Sequence, residues 1–286
     1  MDVSRRTLVR AGGAATVLGA GGAFAYGQLS GATDAAEPTV LVAGSLLRVC
    51  TRIPGASVEA HGSAAVRRLV VEGLRDPDAV ALADSRLFDG ISDRATFFAT
   101  NALVITYDPE SAYADDLRDD WRSAITADGI EVGRTDPDQD PLGYRTVMAL
   151  ELAQRRYGID AGAVLEASRV FRETDLLNVV EQGGVDAAFT YRSMAVERDL
   201  PSVALPTEVD FSDPDHAETY ASVSYDLDHA TVHGTPIRYA ATALKDRGED
   251  WVGRLVTARE LLQESGFVVP AEYPRHDQRL AFPDSG

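Results

Sequence analysis

Thr39-Val40-Leu41-Val42-Ala43-Gly44-Ser45 is an apolar run closed by Pro38 on one side and by a glycine and a hydroxyl on the other. A run too short for a helix and bounded by turn residues predicts a buried strand. The pattern returns twice. Residues 58–60 lead into Gly62-Ser63, and residues 78–82 end in Ala83-Asp84. Between them a helix is expected from Ser63, as its cap, through Arg75. Strands alternating with helices build parallel sheets, which take their ligands at the carboxyl ends of the strands. The fold class is therefore α/β, and the small polar residues after each strand are candidates for a site.

The longest strand signal covers 99–107 and ends at Asp108-Pro109; a second covers 237–243. Helices are expected between them at 121–127, 146–157, 161–170 and 174–182, with strands at 187–191 and 202–205. A final helix, 251–265, stops at Gly266. The two long strands would serve as crossovers between two lobes. Lobe I then comprises 38–106 and 236–286, and lobe II comprises 107–235.

The 286 residues are 45% hydrophobic and 25% charged, which suits a packed globular core. Asp and Glu number 45 against 27 Lys and Arg, for a net charge of −18, and Lys245 is the single lysine. Acid-rich, lysine-poor usage suggests a halophile's solvated surface and has the wrong sign for nucleic acid. It does not forbid an anionic ligand. At about 1 M salt the Debye length is ~3 Å, so short-range dipoles in a pocket decide.

Ser4-Arg5-Arg6-Thr7-Leu8-Val9-Arg10 followed by a Gly/Ala-rich apolar run reads as a twin-arginine export signal over 1–25, with 26–37 as a flexible tether. Ala23-Phe24-Ala25 offers a cleavage site, and retention as an anchor is the alternative. Both outcomes put the protein outside the cytoplasm, free or tethered to the outer face of the membrane. The single cysteine, Cys50, cannot form an internal disulfide and reads as a buried thiol. No Cys/His cluster suggests zinc.

Asp140-Pro141-Leu142-Gly143-Tyr144-Arg145-Thr146 carries a second signal. Asp140 suits an N-cap, and Pro141 suits the first helical position, where its missing N–H costs nothing. The N–H groups of Leu142 and Gly143 should then point out of the helix start, where free donors and the helix dipole attract oxyanions. Gly44-Ser45 and Gly62-Ser63 would each set an N–H and a hydroxyl at a helix mouth facing the cleft. The plainer role for each serine is a cap. Hydroxyls and amides recognise a dianion without a fixed positive charge that would also capture chloride. Glu173-Thr174-Asp175 opens another helix, and Tyr191 ends the strand at 187–191. A carboxylate aimed at an anion meets a repulsion of roughly 4 kcal/mol at an effective dielectric near 20, unless a metal centre takes it as a ligand.

Ala43-Gly44-Ser45-Leu46, Gly62-Ser63, Ala83-Asp84, Phe98-Ala99-Thr100-Asn101, Gly133-Arg134-Thr135-Asp136-Pro137, Asp140 to Thr146 and Tyr191-Arg192-Ser193-Met194-Ala195 follow one another across residues 39–270. In that order they resemble the archaeal tungstate/molybdate-binding proteins of ABC importers. The resemblance implies a type II periplasmic-binding-protein fold, two lobes with the ligand cleft between them. It implies oxyanion contacts at Gly44, Ser45, Ser63, Asp140, Pro141, Leu142 and Tyr191. Asp140 and Glu173 would extend the molybdenum or tungsten from tetrahedral towards octahedral coordination. The stretches 46–57 and 157–173 are shorter than in the family, and Thr190 stands where the family often has Glu.

The function so implied is a monomeric solute-binding component that hands molybdate or tungstate to an ABC permease driven by a cytoplasmic ATPase, with no cofactor beyond the ligand. Sulfate or phosphate as ligand is an alternative within the class. An exported enzyme is a third reading, disfavoured by the lack of a nucleophile-base pair, a metal-ligand cluster or a nucleotide loop. A cytoplasmic anion sensor is disfavoured by the export signal.

Overall fold

The computed structural model describes residues 37–227 and 230–280; the twin-arginine segment and all of the tether but Glu37 lie outside the described residues. Two mixed sheets organise the chain. The first holds β1 (Thr39–Ala43), β2 (Ser57–His61), β3 (Ala79–Leu82), β4 (Arg94–Thr100), β12 (Arg238–Ala243) and β13 (Arg275–Arg279), ordered β13-β4-β12-β3-β1-β2. The second holds β5 (Leu103–Tyr107), β6 (Val132–Thr135), β7 (Arg169–Phe171), β8 (Ala187–Tyr191) and β9 (Ser202–Ala204), ordered β7-β6-β8-β5-β9. A hairpin of β10 (Ser224–Leu227) and β11 (Ala230–His233) stands apart from both.

β1, β2 and β3 run parallel in the first sheet, and β6, β7 and β8 in the second. β12 and β5 run antiparallel to their neighbours. Alternation along β1 divides its side chains between two layers. Val40 and Val42 join the large core with Phe98, Tyr239 and Trp251, while Leu41 joins Val66, Val80, Leu82 and Phe88 on the other face. Burial on both faces explains why β1 and β3 read as unbroken apolar runs.

The structure departs from the sequence expectations in definite places. The signal at 99–107 is two strands, interrupted by Asn101 and Ala102. The Asn101 N–H donates to the Ile237 carbonyl (3.1 Å), and the Asn101 side-chain oxygen accepts the Ala102 N–H (3.0 Å), which takes both residues off the ladder. β5 therefore belongs wholly to the second sheet, so the chain changes sheet at 101–102 rather than at 106. The helix after β2 runs Ser63–Val71 with Gly62, not Ser63, at its N-cap. The helix expected over 121–127 ends at Ala124, and the non-helical Asp120 (φ −152°, ψ 91°) joins it to a further helical stretch that opens at Ala114. The one expected over 161–170 ends at Ala167, because Ser168 turns extended (ψ 144°) and the next three residues pair with β6. The last helix is two, Asp246–Thr257 and Arg259–Glu264, broken at Ala258. No described helix is long and apolar enough to cross a membrane.

Candidate functional site

Two sets of three parallel strands, one from each sheet, end at one place. β1 leads into Gly44 and Ser45, β2 into Gly62 and Ser63, and β3 into Ala83 and Asp84; β6 leads to the helix Pro141–Tyr157, β7 to Glu173, and β8 ends in Tyr191. Their ends line one cavity of about 410 Å³. Gly44, Ser45, Ser63, Pro141, Leu142, Glu173 and Tyr191, all expected from sequence, line it, and Asp140 caps the helix directly behind Pro141.

On the first sheet's side the groups are hydroxyls and backbone. Neither serine is a cap: Ser45 lies inside the short 3₁₀ turn Gly44–Leu46, and Ser63 occupies the first turn of its helix. The Ser63 Oγ accepts the Ala83 N–H at 3.2 Å, so its own hydrogen is free to be donated elsewhere. The Ser45 Oγ lies 3.1 Å from the Tyr239 hydroxyl. Gly62 has φ −58° and a Cβ there would meet nothing within 4 Å, so the backbone does not require glycine and the space it leaves opens onto the cavity. Asp84 contributes no net charge. The Arg86 guanidinium donates to it at 2.6 Å, and although burial pushes the carboxyl up, Arg86 holds it below the usual carboxylate range.

The second sheet's side is charged. Asp140 caps the Pro141 helix, its Oδ1 accepting the Gly143 N–H (3.0 Å) and the Thr135 hydroxyl (3.0 Å). Burial nevertheless lifts its carboxyl above the usual range, against the pull of these donors and of the Leu142 N–H. The amides of Leu142 and Gly143, expected to point outward, thus serve Asp140 itself. Gly143 is required here: a Cβ would lie 2.5 Å from the carbonyl of Asp136 and 2.6 Å from the nitrogen of Pro137. Glu173, first residue of the helix Glu173–Glu181, has its carboxyl raised by desolvation in the cleft and by the charge of Asp140, with Arg145 opposing. The two carboxylates therefore feel each other.

Arg145 is the group that sequence reasoning missed. It is 6% exposed, its Nη1 donates to the Tyr191 hydroxyl at 2.7 Å, and its guanidinium carbon lies 5.7 Å and 6.0 Å from the Tyr144 and Tyr191 ring centroids. Burial works against its charge, but Tyr191, Tyr144 and Asp84 hold its pKa above the ordinary value. Among the described residues no carboxylate comes within 4.0 Å of it, so a fixed cation faces the cavity without an ion-pair partner. The expectation of a site free of fixed positive charge is corrected. The signal was present: a cation near the start of a helix opposes the dipole, and Arg145 is only the fifth residue of this one. Tyr144 and Tyr239, also in the lining, were passed over because aromatics within helix and strand patterns read as core.

The arrangement offers hydroxyl donors, helix starts and one buried guanidinium to an anion, with two carboxyls of raised pKa beside it. A family model described as bacterial extracellular solute-binding protein matches residues 56–268. A protein of Haloferax volcanii, provisionally named as the molybdenum-binding protein of an ABC transporter, is 46% identical over 294 residues, 96% of this chain and 94% of its own. The molybdate/tungstate-binding protein of Pyrococcus abyssi is 32% identical over 223 residues, 66% of this chain and 65% of its own. Among solved structures, the periplasmic molybdate-binding protein of Azotobacter vinelandii superposes with a TM-score of 0.56 at 12% identity, over 82% of this chain and 100% of its own. At that identity the likeness speaks for the two-lobed fold.

Proposed function

The chain belongs to the bacterial extracellular solute-binding proteins, and on that premise we propose that it captures molybdate or tungstate in the cleft and hands it to the membrane permease of an ABC importer. The observation that carries this reading is the buried, unpaired guanidinium of Arg145 at the meeting point of six strand ends. A desolvated cation is costly unless an anion joins it. A dianion there gains Arg145, the Ser45 and Ser63 hydroxyls and the backbone of the first helix mouths. Gly44, Pro141, Leu142 and Tyr191 complete its enclosure.

Asp140 and Glu173 separate the candidate anions. Towards sulfate or phosphate they would be merely repulsive. Towards molybdenum or tungsten, whose coordination can expand, they are ligands. Burial raises both carboxyl pKa values and the charge of Asp140 raises that of Glu173 further, a repulsion that a metal centre taking both as ligands would relieve. Lobe closure would bury the anion and present a closed surface to the permease, with a cytoplasmic ATPase driving release. The protein does no chemistry of its own in this reading and acts as a monomer. Its twin-arginine segment would send it out of the cytoplasm, and residues 26–37 would tether it if the segment is retained.

Titration calorimetry in high salt with molybdate, tungstate, sulfate and phosphate tests this. Binding of the first two is expected; flat traces for both, or tighter binding of sulfate, would overturn it.

A further inference from the structure

A hydrogen-bond chain joins the sheet crossover to the site. The Asn101 side-chain oxygen accepts two backbone donors, the N–H of Ala102 (3.0 Å) and of Ser193 (3.4 Å). Backbone N–H groups cannot accept, so the orientation of the amide is fixed by its neighbours. Its Nδ2 then has two hydrogens to give, and two hydroxyl oxygens receive them: Ser193 at 2.8 Å and Tyr239 at 3.2 Å. Tyr239 is 1% exposed. Having accepted from Asn101, its hydroxyl has one hydrogen left, and the Ser45 Oγ at 3.1 Å is the acceptor within reach. A hydrogen from Ser45 pointing the other way would leave the tyrosine proton buried without a partner, at a cost of about 1–3 kcal/mol.

We infer that Asn101 is a positioning residue that fixes the direction of this relay: Asn101 donates to Tyr239, Tyr239 donates to Ser45, and Ser45 is left to give its hydrogen to an oxyanion in the cavity. Ser45 lines the cavity and Asn101 does not, so Asn101 acts through Tyr239. The same side chain also holds the residue where the chain leaves the first sheet and the start of the helix Arg192–Glu197 after β8. The direction of one hydroxyl is thereby tied to the seam between the sheets. The inference rests on the proposed function only for the identity of the anion.

The relay has a sign that substitution can reverse. In Asn101→Asp the side chain can only accept, so Tyr239 would turn its hydrogen towards residue 101, Ser45 would donate to Tyr239, and lone pairs would face the anion. Molybdate affinity, measured by calorimetry on the full chain, is expected to fall by about 30-fold or more, the scale of one lost charge-assisted hydrogen bond. Tyr239→Phe should lose less, because Ser45 keeps its hydrogen and loses only its orientation. The double variant should recover to the Tyr239→Phe level, since without the phenol the aspartate has nothing to reverse. A double variant as weak as Asn101→Asp would mean simple charge repulsion and would overturn the relay. Should Asn101→Asp fail to fold, Tyr239→Phe decides: weakened binding supports the direction assigned, and unchanged or tighter binding overturns it. A wild-type protein that binds neither molybdate nor tungstate overturns the function itself, whereas a wild type that binds with the variants out of order overturns only the relay.

Discussion

The two faces of the cavity use one topology, three parallel strand ends each, yet the first sheet brings neutral hydroxyls, backbone and the internally balanced pair Asp84–Arg86, while the second brings Asp140, Arg145 and Glu173. Shape and hydrogen-bond direction thus come from one side and charge from the other. In the proposed reading that division, in a chain of net charge −18, puts the attraction for an anion on a single buried group and leaves the opposite face to discriminate.

Breaking the charged face should have the largest effect. Arg145→Met removes the cation at similar volume, and molybdate affinity should fall on the order of 10²–10³-fold, while the unliganded protein holds or gains thermal stability because a desolvated charge is gone. A fall in both affinity and melting temperature would make Arg145 a structural residue. Gly143→Ala comes next: its Cβ would strike the backbone at Asp136, so chemical denaturation should show a loss of about 1–3 kcal/mol, with the cap at Asp140 disturbed.

Asp210 lies off both faces, and its carboxyl is pushed up to about 6 by burial, against the Ser212 N–H bond (2.8 Å). A carboxyl whose folded pKa lies above its unfolded one favours the folded state when protonated. That advantage is lost as pH rises from the ordinary carboxylate range through about 6. Asp210→Asn should therefore stabilise the protein by roughly 1–3 kcal/mol above pH 7 and by nothing near pH 4, in paired melts, without touching anion affinity. Equal effects at both pH values would exclude titration as the cause. The smallest change is expected on the neutral face. Ser63→Ala should weaken molybdate by about tenfold or less, one hydrogen bond among several; a loss matching that of Arg145→Met would erase the contrast between the faces.

What was legible in the sequence was what local chemistry dictates. Asp140-Pro141 marked a helix start, and β1 and β3 read as apolar runs because both of their faces are covered. What was hidden depends on distant partners. β6 is Val132-Gly133-Arg134-Thr135, with turn-like composition, and it is a strand because β7 and β8 flank it. The helix expected over 161–170 runs into β7, where pairing with β6 overrides the helical reading. At the site, the strand-end serines could be named in advance, but their bonding could not: whether Ser45 caps a turn or accepts from Tyr239, 194 residues away, is a matter of tertiary structure. Arg145 was quoted within its motif and still passed over, since helix spacing does not reveal that the side chain is 6% exposed.

The position of β12 has a consequence for the order in which the molecule can be completed. The second sheet is finished once residue 204 has been made, whereas β4 has no bond to β3 until β12 arrives between them, at residues 238–243. A chain interrupted anywhere between those points would carry a finished second sheet beside a split first one, with three strand edges open to other chains: one on β3 and both on β4, whose other neighbour, β13, also comes later. Half of the proposed oxyanion site stands on the split sheet, so on that reading capture of the ligand and protection from such pairing are acquired together, once β12 is in place.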